Sequence, residues 1–524
     1  MNRKPFSHRL PHHLLSLSLA GALWLTTASV ARAQSEWVHP DPAGKLAYKT
    51  LPGGDRIIDF SHAGYGGGGV KLPVVPVEKT VVPSGGDDSA VIQAAIDAVA
   101  ALPLKNGFRG AVLLKPGTFH CEKPIILSQD GVVVLGSGPD EKGTVIEMTG
   151  APHTCLSIQG ASLKFPKENP SDASPVTDAY VPSGTTSLSL KEVRGLKVGD
   201  TILVRWLRTA KWIHFMGMDN LVRNGKLQNW IQTDSPVTFQ RTVSAIQGNR
   251  ITLDVPLTDS IDSQYLSAVV VKTAPPKRLT QCGFESLRIN SQPPTGMLTA
   301  ANNVAMIIDN CEDCWCKDIL TSDTLDIARV LGNARRVTLL NINALHTATV
   351  ERGAGYPADF TLRGSQVLID RCSSKGDGAF FVDTAHAPAA LNVALNCLFE
   401  GHGAIQPHQR WSTGLLLDGC KLPDGKVDLI NRGTSGSGHG WAIGWAVAWN
   451  CTAKSFNVQQ PPGSINWCIG CVGEMDWGKL EKGAEPPTPG PWLSSHGKPV
   501  EPASLYLAQL RERLGPQAVA NIGY

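Results

Sequence analysis

Two histidines and an arginine in the C-terminal half carry the groups needed to remove a proton beside a carboxylate. His408 and Arg410 are two positions apart, so an extended segment places them on one face, and His439 follows further along the chain. An imidazole takes up a proton near neutral pH, and a guanidinium neutralises the carboxylate that acidifies the neighbouring C–H. These residues predict β-elimination from a uronate, with His408 as base, Arg410 as carboxylate clamp and His439 as second base or leaving-group acid.

Residues 377–441 contain further side chains suited to holding a sugar chain. Indole faces pack on pyranose rings, and charged or polar groups bind the ring substituents. The predicted substrate-binding residues are Trp411, Trp441, His402, His386, Arg432 and Asp383. A solvated turn residue is the simpler interpretation for His402 taken alone, and Trp445 and Trp449 are predicted to be core residues because they lie in an Ala/Val run.

A repeated pattern predicts how these side chains meet. Short apolar runs that end in a polar residue and a cysteine recur at Cys311, Cys372, Cys397, Cys420 and Cys451, with Ile342 in the remaining gap. Successive members of this series are 31, 30, 25, 23 and 31 positions apart. Each spacing suits one coil of a parallel β-helix, so the cysteines are predicted to stack in the interior about 4.8 Å apart.

The spacing between each histidine and the cysteine that follows it predicts where the histidines lie on the coils. His408 precedes Cys420 by 12 positions, and His439 precedes Cys451 by 12. With one cysteine in each coil, the two imidazoles lie on the same face of adjacent coils, about one strand spacing apart. His386 lies 11 positions before Cys397, the cysteine of the preceding coil, and extends the same column.

Strings in the N-terminal part point to a known superfamily. Residues 90–101 form an amphipathic stretch that Asp87, Asp88 or Ser89 can cap. The strings 87–97, 110–119 and 131–138 resemble the N-terminal cap and first coils of pectate-lyase-superfamily proteins. Residues 407–414 and 435–441, with Trp449-Asn450-Cys451, resemble a subgroup of exported bacterial β-helix proteins.

This resemblance covers residues 80–160 and 275–475, and it implies a fold more strongly than a substrate. It implies a polysaccharide partner and a pectate lyase-like activity. The calcium-binding acidic clusters of pectate lyases have no clear match in this sequence, so no metal site is predicted. No cofactor is assigned, and Ca²⁺ remains an open alternative.

The predicted fold class is all-β: a right-handed parallel β-helix with an N-terminal cap helix and a small β-rich inserted domain. The predicted divisions are a signal peptide at 1–33, an N-terminal extension at 34–80 and the cap with first coils at 81–175. A β-rich insertion at 176–270, the main coils at 271–478 and a Pro-rich segment with a capping helix at 479–524 follow.

Residues 1–33 have the composition of a signal peptide. Basic residues precede an apolar stretch, and Ala31-Arg32-Ala33 supplies a cleavage site, so the predicted mature N-terminus is Gln34 in a secreted or periplasmic protein. No later stretch is long and apolar enough to span a membrane. Cleavage removes four basic and no acidic residues, which changes the formal charge from +3 to −1 and argues against a nucleic-acid partner.

The sequence is compatible with two other functions. A glycoside hydrolase on the same fold needs two carboxylates flanking the bond, for which Asp377, Asp383 and Glu400 are the candidates. The other function is that of a non-catalytic protein, which binds a glycan in the same groove of the β-helix and does not cleave it. A split zinc site formed by the cysteine pairs 311/314 and 468/471 is an alternative to core packing. The sequence leaves the oligomeric state and any disulfide pairing open.

Overall fold

The chain folds mainly into parallel β-strands, with few helices. The structure is a computed structural model that describes residues 33–163, 173–193, 195–293, 296–299, 303–350, 357–377, 380–478 and 490–524. The α-helices of these residues are Ser89–Ala100, Ala210–Phe215, Leu505–Leu514 and Pro516–Asn521. Short 3₁₀ helices are Phe60–His62 and Tyr65–Gly67.

The main sheet winds as three columns of stacked parallel strands, each coil supplying one strand to each column. Column one contains Val77–Val81, Gly110–Leu114, Val132–Leu135, Leu368–Asp370, Ala390–Leu395, Ser412–Asp418, Ile443–Gly444, Val447–Trp449, Trp467–Ile469 and Leu493–Ser494. Column two contains Gly117–Cys121, Thr144–Met148, Ser373–Lys375, Leu398–Glu400 and Val472–Met475. The long strands Gly283–Asn290, Cys311–Ser322 and Arg335–Leu345 run through both, and Leu279–Thr280 pairs with the start of the second.

Column three completes each coil. It contains Ile125–Leu127, Thr154–Gln159, Val304–Asp309, Ala328–Val330, Ala358–Leu362, Phe380–Thr384 and Ala404–Ile405. Lys421–Leu429 and Thr452–Val458 run into it from column two. The predicted fold class is thereby confirmed as a right-handed parallel β-helix.

The interior contains the predicted column of cysteines from Cys372 onward. From coil to coil, strand pairing joins the residues that directly follow Ile342, Cys372, Cys397, Cys420, Cys451 and Cys471. All twelve cysteines are buried free thiols. The prediction for Cys311 is wrong: it pairs with Leu279, whereas Ile319 pairs with Ile342. The error arises because Cys311–Ser322 is a long strand that crosses two columns, so its first residue belongs to a different column from Ile319, its ninth.

The helix Ser89–Ala100 packs against the first coil through Ile92, Ile96 and Val99. Asp88 occupies the N-cap position, but its side chain accepts hydrogen bonds from the backbone N–H groups of Ser84 and His120 instead of capping the helix.

Residues 173–272 form a separate antiparallel sheet. Its six strands are Ala173–Pro175, Ser187–Ser189, Thr201–Leu207, Pro236–Gln247, Arg250–Leu253 and Ala268–Lys272. Two-stranded pairs add Tyr180–Val181 with Ile261–Asp262 and Val222–Arg223 with Lys226–Leu227. The sheet has its own apolar core, and that core includes Ala390 and Trp411 from the coils. We call residues 173–272 the insertion.

One pair of short strands ties the two ends of residues 33–524 together, because Ala33–Gln34 pairs with Val500–Glu501. Two further pairs are local: Val38–Pro40 pairs with Leu46–Tyr48, and Met297–Leu298 pairs with Thr349–Val350. The predicted C-terminal helix is present as Leu505–Leu514, and its Tyr506 and Leu510 are buried in the main core.

Most of the predicted signal peptide, residues 1–32, lies outside the described residues. None of the helices within the described ranges has the length and apolar character of a membrane span.

Candidate functional site

The predicted histidine pair lies at the corner where the chain passes from column three to column one. The ring centroids of His408 and His439 are 4.7 Å apart, which confirms that the two imidazoles meet on adjacent coils. Gly436 makes room for this contact, because a Cβ there would overlap the His439 ring. Its φ of +58° also lies in the left-handed region that glycine adopts without strain.

A buried carboxylate lies behind the histidine pair. Asp383 is 2% exposed, and its Oδ2 is 3.6 Å from Nδ1 of His408. Its Oδ1 has no hydrogen-bond partner within the described ranges. A carboxylate on the Nδ1 side favours the tautomer with the proton on Nδ1, which leaves Nε2 as the basic nitrogen of His408.

Arg432 supplies a cation beside this pair. Its Nη1 donates a hydrogen bond of 2.9 Å to the backbone carbonyl of His408, and its guanidinium lies over the Phe380 ring at 5.4 Å. Phe380 also contacts the His408 ring at 5.7 Å between centroids. The sequence placed Arg432 among the substrate-binding residues, and the structure brings it together with His408 and Asp383.

His439 is uncharged at neutral pH. Burial, then the nearby charges of Arg432, His408 and Arg410, lower its pKa to about 4. Of the two roles predicted for His439, a neutral imidazole suits the base and not the acid that protonates a leaving group.

Arg410 lies beside the histidines on a turn rather than on an extended segment. Its φ is +58° and that of Trp411 is +61°, so the alternation assumed for residues 408–411 is wrong. The Arg410 backbone N–H donates to the His439 carbonyl at 3.1 Å. Its Nε donates to the Trp230 carbonyl of the insertion at 2.9 Å, and its Nη2 donates to the Ser437 hydroxyl of a coil turn at 2.7 Å.

The insertion and the corner turns enclose a first cleft of about 550 Å³, lined by Arg208, Leu227, Gln228, Asn229, Trp230, Ile231, Gln232, Ser235, His386, Arg410 and Ser437. His386 does not extend the predicted column, because Ala385 pairs with Gln409 and the residue opposite His408 is therefore Thr384. Nε2 of His386 lies 3.4 Å from Nε2 of Gln409 instead. Burial, then Arg363, Arg410, Arg208 and His408, lower the pKa of His386 to about 4. Among the described residues, the lining of this cleft includes arginines and no carboxylate.

A second cleft of about 410 Å³ lies on column three, lined by Phe380, His402, Gly403, Ala404, Gln406, Asp424, Lys426, Lys454 and Ser455. His402 lies on its exposed rim, with a side chain 77% exposed and Nδ1 3.0 Å from Oδ1 of Asp377. The structure therefore places His402 away from the histidine pair.

Two functional candidates were absent from the sequence prediction: Gln406, which lines the second cleft, and Asp428, which binds two of its lining residues. Asp428 is buried, and its Oδ2 accepts hydrogen bonds from Gln406 at 2.7 Å and Lys426 at 2.8 Å. The positions of Gln406 and Asp428 follow from neighbouring ladder pairs, in which Val382 pairs with Ile405 and Ile405 with Val427. Asp383, Gln406 and Asp428 therefore follow one another at intervals of one coil, so the coil length would have found them.

The predicted role of Trp411 in stacking on a sugar is wrong. Trp411 is 2% exposed, its Nε1 donates to Asp259 at 2.8 Å, and its ring packs against Trp212 and Trp230 of the insertion. Trp441 is half-buried against the same core, and its carbonyl accepts a hydrogen bond from the indole of Trp230. Both indoles serve to fix the insertion against the coils.

No group of three or more metal-ligating side chains is present among the residues that the structure describes. Cys311, Cys314, Cys468 and Cys471, the residues of the alternative zinc site, are buried in the apolar core.

Comparison with known proteins finds distant structural likenesses. No protein-family model matches the sequence, and no curated protein matches it. The stacked parallel strands make the chain a parallel β-helix protein by fold. Three solved structures show a limited likeness to this chain.

The mannuronan C-5 epimerase AlgE6 A-module of Azotobacter vinelandii is 11% identical, with a TM-score of 0.35 over 80% of this chain and 74% of that chain. The tailspike gp61 of Pseudomonas phage phi297 is 11% identical, with a TM-score of 0.33 over 74% and 67%. The pectin methylesterase PemA of Erwinia chrysanthemi is 10% identical, with a TM-score of 0.30 over 78% and 92%.

Proposed function

We propose that this protein cleaves a uronate-containing polysaccharide by β-elimination. The observation that carries the proposal is the cluster of His408, His439, Asp383 and Arg432, which combines a base, a carboxylate that orients it and a cation. These are the groups that abstraction of a weakly acidic proton beside a carboxylate requires.

In the proposed reaction, His408 acts through Nε2 because its Nδ1 faces Asp383. The base takes the C5 proton of the uronate, and the electron pair passes into the carboxylate, where Arg432 or Arg410 neutralises the developing charge. The pair then returns to form the C4=C5 bond as the C4–O bond breaks. The leaving oxygen takes a proton from solvent, since His439 is neutral at the working pH.

The charged residues that line the two clefts support an acidic glycan as the substrate. Arg208 and Arg410 line the first cleft, and Lys426 and Lys454 line the second, where Asp424 is the one acidic lining residue within the described ranges. Clefts that border the cluster and carry positive charge suit a polymer with a carboxylate on successive sugars.

Product analysis tests the reaction type. Wild-type protein incubated with polymers of galacturonate, glucuronate, mannuronate and guluronate is expected to release products with near-ultraviolet absorbance, each lighter by one water than the hydrolytic fragment. Neutral glycans serve as the control. Products that contain the added water and lack new absorbance would reject elimination.

A second candidate is hydrolysis with inversion, which one observation favours. Asp383 and Asp428 lie two coils apart on column three, about 9.6 Å at two strand spacings, near the range of about 6.5 to 9.5 Å for inverting carboxylates. Each has a buried oxygen without a hydrogen-bond partner in the part of the chain that the structure describes. Of the acids predicted for hydrolysis, Asp377 is exposed beside His402, and only Asp383 reaches the cluster.

We further propose that the protein is exported, with cleavage before Gln34. The mature protein from its host is expected to begin at Gln34 when its N-terminus is read by mass spectrometry, because Ala31-Arg32-Ala33 provides the small-x-small site. Replacement of Ala33 by a bulky residue is expected to block this processing. Mature protein that retains Met1 would contradict the proposal.

A further inference from the structure

A third cleft, of about 640 Å³, lies where the insertion meets the turns that lead from column three to column one. Residues of the strands Thr201–Leu207 and Pro236–Gln247 form its wall on the insertion, and the coil turns 332–335, 365–366 and 387–388 form the wall opposite. Within the described ranges, its lining contains no carboxylate and four arginines, which are Arg205, Arg241, Arg278 and Arg335. A cleft whose charges share one sign concentrates ligands of the opposite sign.

The nearest acid does not balance the arginines on the coil side of this cleft. Oε2 of Glu312 lies 3.0 Å from Nε of Arg335 and 3.6 Å from Nη1 of Arg278, while its Oε1 lies 2.5 Å from Nη2 of Arg336. Three guanidinium groups therefore share Glu312. Burial, then the charge of Arg335, lower the pKa of Arg278 to about 10, and Glu312 raises it by less. At Arg278, repulsion from Arg335 thus outweighs the attraction of Glu312.

Arg241 and Arg335 differ in what their guanidinium groups can still bind. Arg241 is buried and donates hydrogen bonds of 2.8 Å to the carbonyls of Val255, Gln240 and Pro256, so it contributes only its charge to the cleft. The side chain of Arg335 is 12% exposed. Its Nη1 and Nη2 have no hydrogen-bond partner among the described residues and, unlike its Nε, are not buried. These two nitrogens can therefore bind an anion that enters the cleft.

The third cleft continues toward the histidine pair. Strand pairing links consecutive coils in the order Arg335, Ser365, Ala390 and Thr413. Arg335 is therefore three strand spacings, about 14 Å along the axis, from the coil that contains Arg410. The turn 386–388 lies between them and lines both clefts, with its first residue in the first cleft and its last two in the third. The two clefts are thus neighbours along one seam between the insertion and the coils.

We propose that the third cleft binds uronate residues of the same acidic polymer that passes the histidine pair, with one carboxylate of the polymer bound to Nη1 and Nη2 of Arg335. The polymer then runs parallel to the β-helix axis along the seam between the insertion and the coils. The planar end of a guanidinium binds a carboxylate through two hydrogen bonds. This inference rests on the proposed function, because it extends the path of the same substrate.

Calorimetric titration tests this arrangement, with hexamers of galacturonate, glucuronate and mannuronate as probes and maltohexaose as the neutral control. The full-length mature protein carries Asp383→Asn, which is expected to slow either proposed reaction, and this protein is the parent for all variants. At least one uronate hexamer is expected to bind, with one molecule per protein chain. Arg335→Met is expected to raise its Kd about 10-fold to 100-fold, as for the loss of a charged hydrogen-bonded pair, with the stoichiometry unchanged.

Two further variants keep the test decisive. Arg250→Met is the matched control, because Arg250 is an exposed arginine of the insertion bonded to Ser187 and Ser189, and its Kd for the hexamer is expected to be that of the parent. Arg335→Lys retains the charge but not the planar pair of donors, so its Kd is expected to lie between those of the parent and Arg335→Met. It replaces Arg335→Met in the test if that variant does not fold.

The outcomes separate this inference from the proposed function. A Kd equal to that of the parent in both Arg335 variants, two hexamers bound per chain, or no binding of any uronate hexamer overturns the inference. Elimination products from a protein whose hexamer binding is independent of Arg335 reject the inference alone. Hydrolytic products together with binding that depends on Arg335 support the inference and reject the proposed elimination.

Discussion

Replacement of His408 by alanine is expected to lower kcat on the cleaved glycan by about 10² to 10⁴, the usual contribution of a positioned base, with little change in KM. The substitution removes the imidazole but keeps the backbone carbonyl that accepts the hydrogen bond from Arg432. It leaves a space between the rings of Phe380 and His439. Added imidazole is therefore expected to restore part of the rate, which initial-rate absorbance measurements with and without imidazole will detect.

His214 provides the matched control for this substitution. It too contacts a carboxylate, with Nδ1 2.7 Å from Oδ2 of Asp219, but it lies exposed on the insertion. His214→Ala is expected to retain the wild-type rate. A His408→Ala protein that folds normally and turns over at the wild-type rate would remove His408 from the mechanism.

The spacing from the cysteines predicted the positions of the histidines correctly because a β-helix repeats its geometry even where its turns differ in length. His408 and His439 precede consecutive members of the cysteine column by the same interval, so their rings meet. The same reasoning applied to Asp383 leads to Gln406 and Asp428. The coil length therefore predicts the positions of those two residues as well.

Residues whose positions depend on the insertion were not predictable in this way. Trp411 has the indole side chain of a sugar-binding residue, but it is buried in a core with Trp212 and Trp230, and its Nε1 donates to Asp259. Arg208 belongs to no repeat of the coils. Contacts between segments so far apart in the chain leave no periodic signal, so only the folded structure brings these side chains to the site.

Replacement of Asp383 is expected to have the second large effect on kcat. Asp383→Asn keeps the shape of the side chain but removes the charge 3.6 Å from Nδ1 of His408, so it no longer favours the tautomer that leaves Nε2 basic. We expect kcat to fall by about 10² to 10⁴, the upper value being that of the same change in the Ser-His-Asp triad. KM is expected to change little, because the buried carboxylate lies behind the imidazole.

Asp428→Asn distinguishes the two proposed reactions when it is measured beside Asp383→Asn. In elimination, Asp428 only anchors Gln406 and Lys426, so its loss is expected to raise KM more than it lowers kcat. In hydrolysis with inversion, the two carboxylates act as acid and base, and both substitutions abolish turnover to a similar degree. Because both changes preserve side-chain volume at buried positions of the same column, circular dichroism and melting temperature can verify folding in each variant. Equal losses of kcat would assign the chemistry to the carboxylate pair, whereas a selective loss in Asp383→Asn would assign it to the histidine that Asp383 orients.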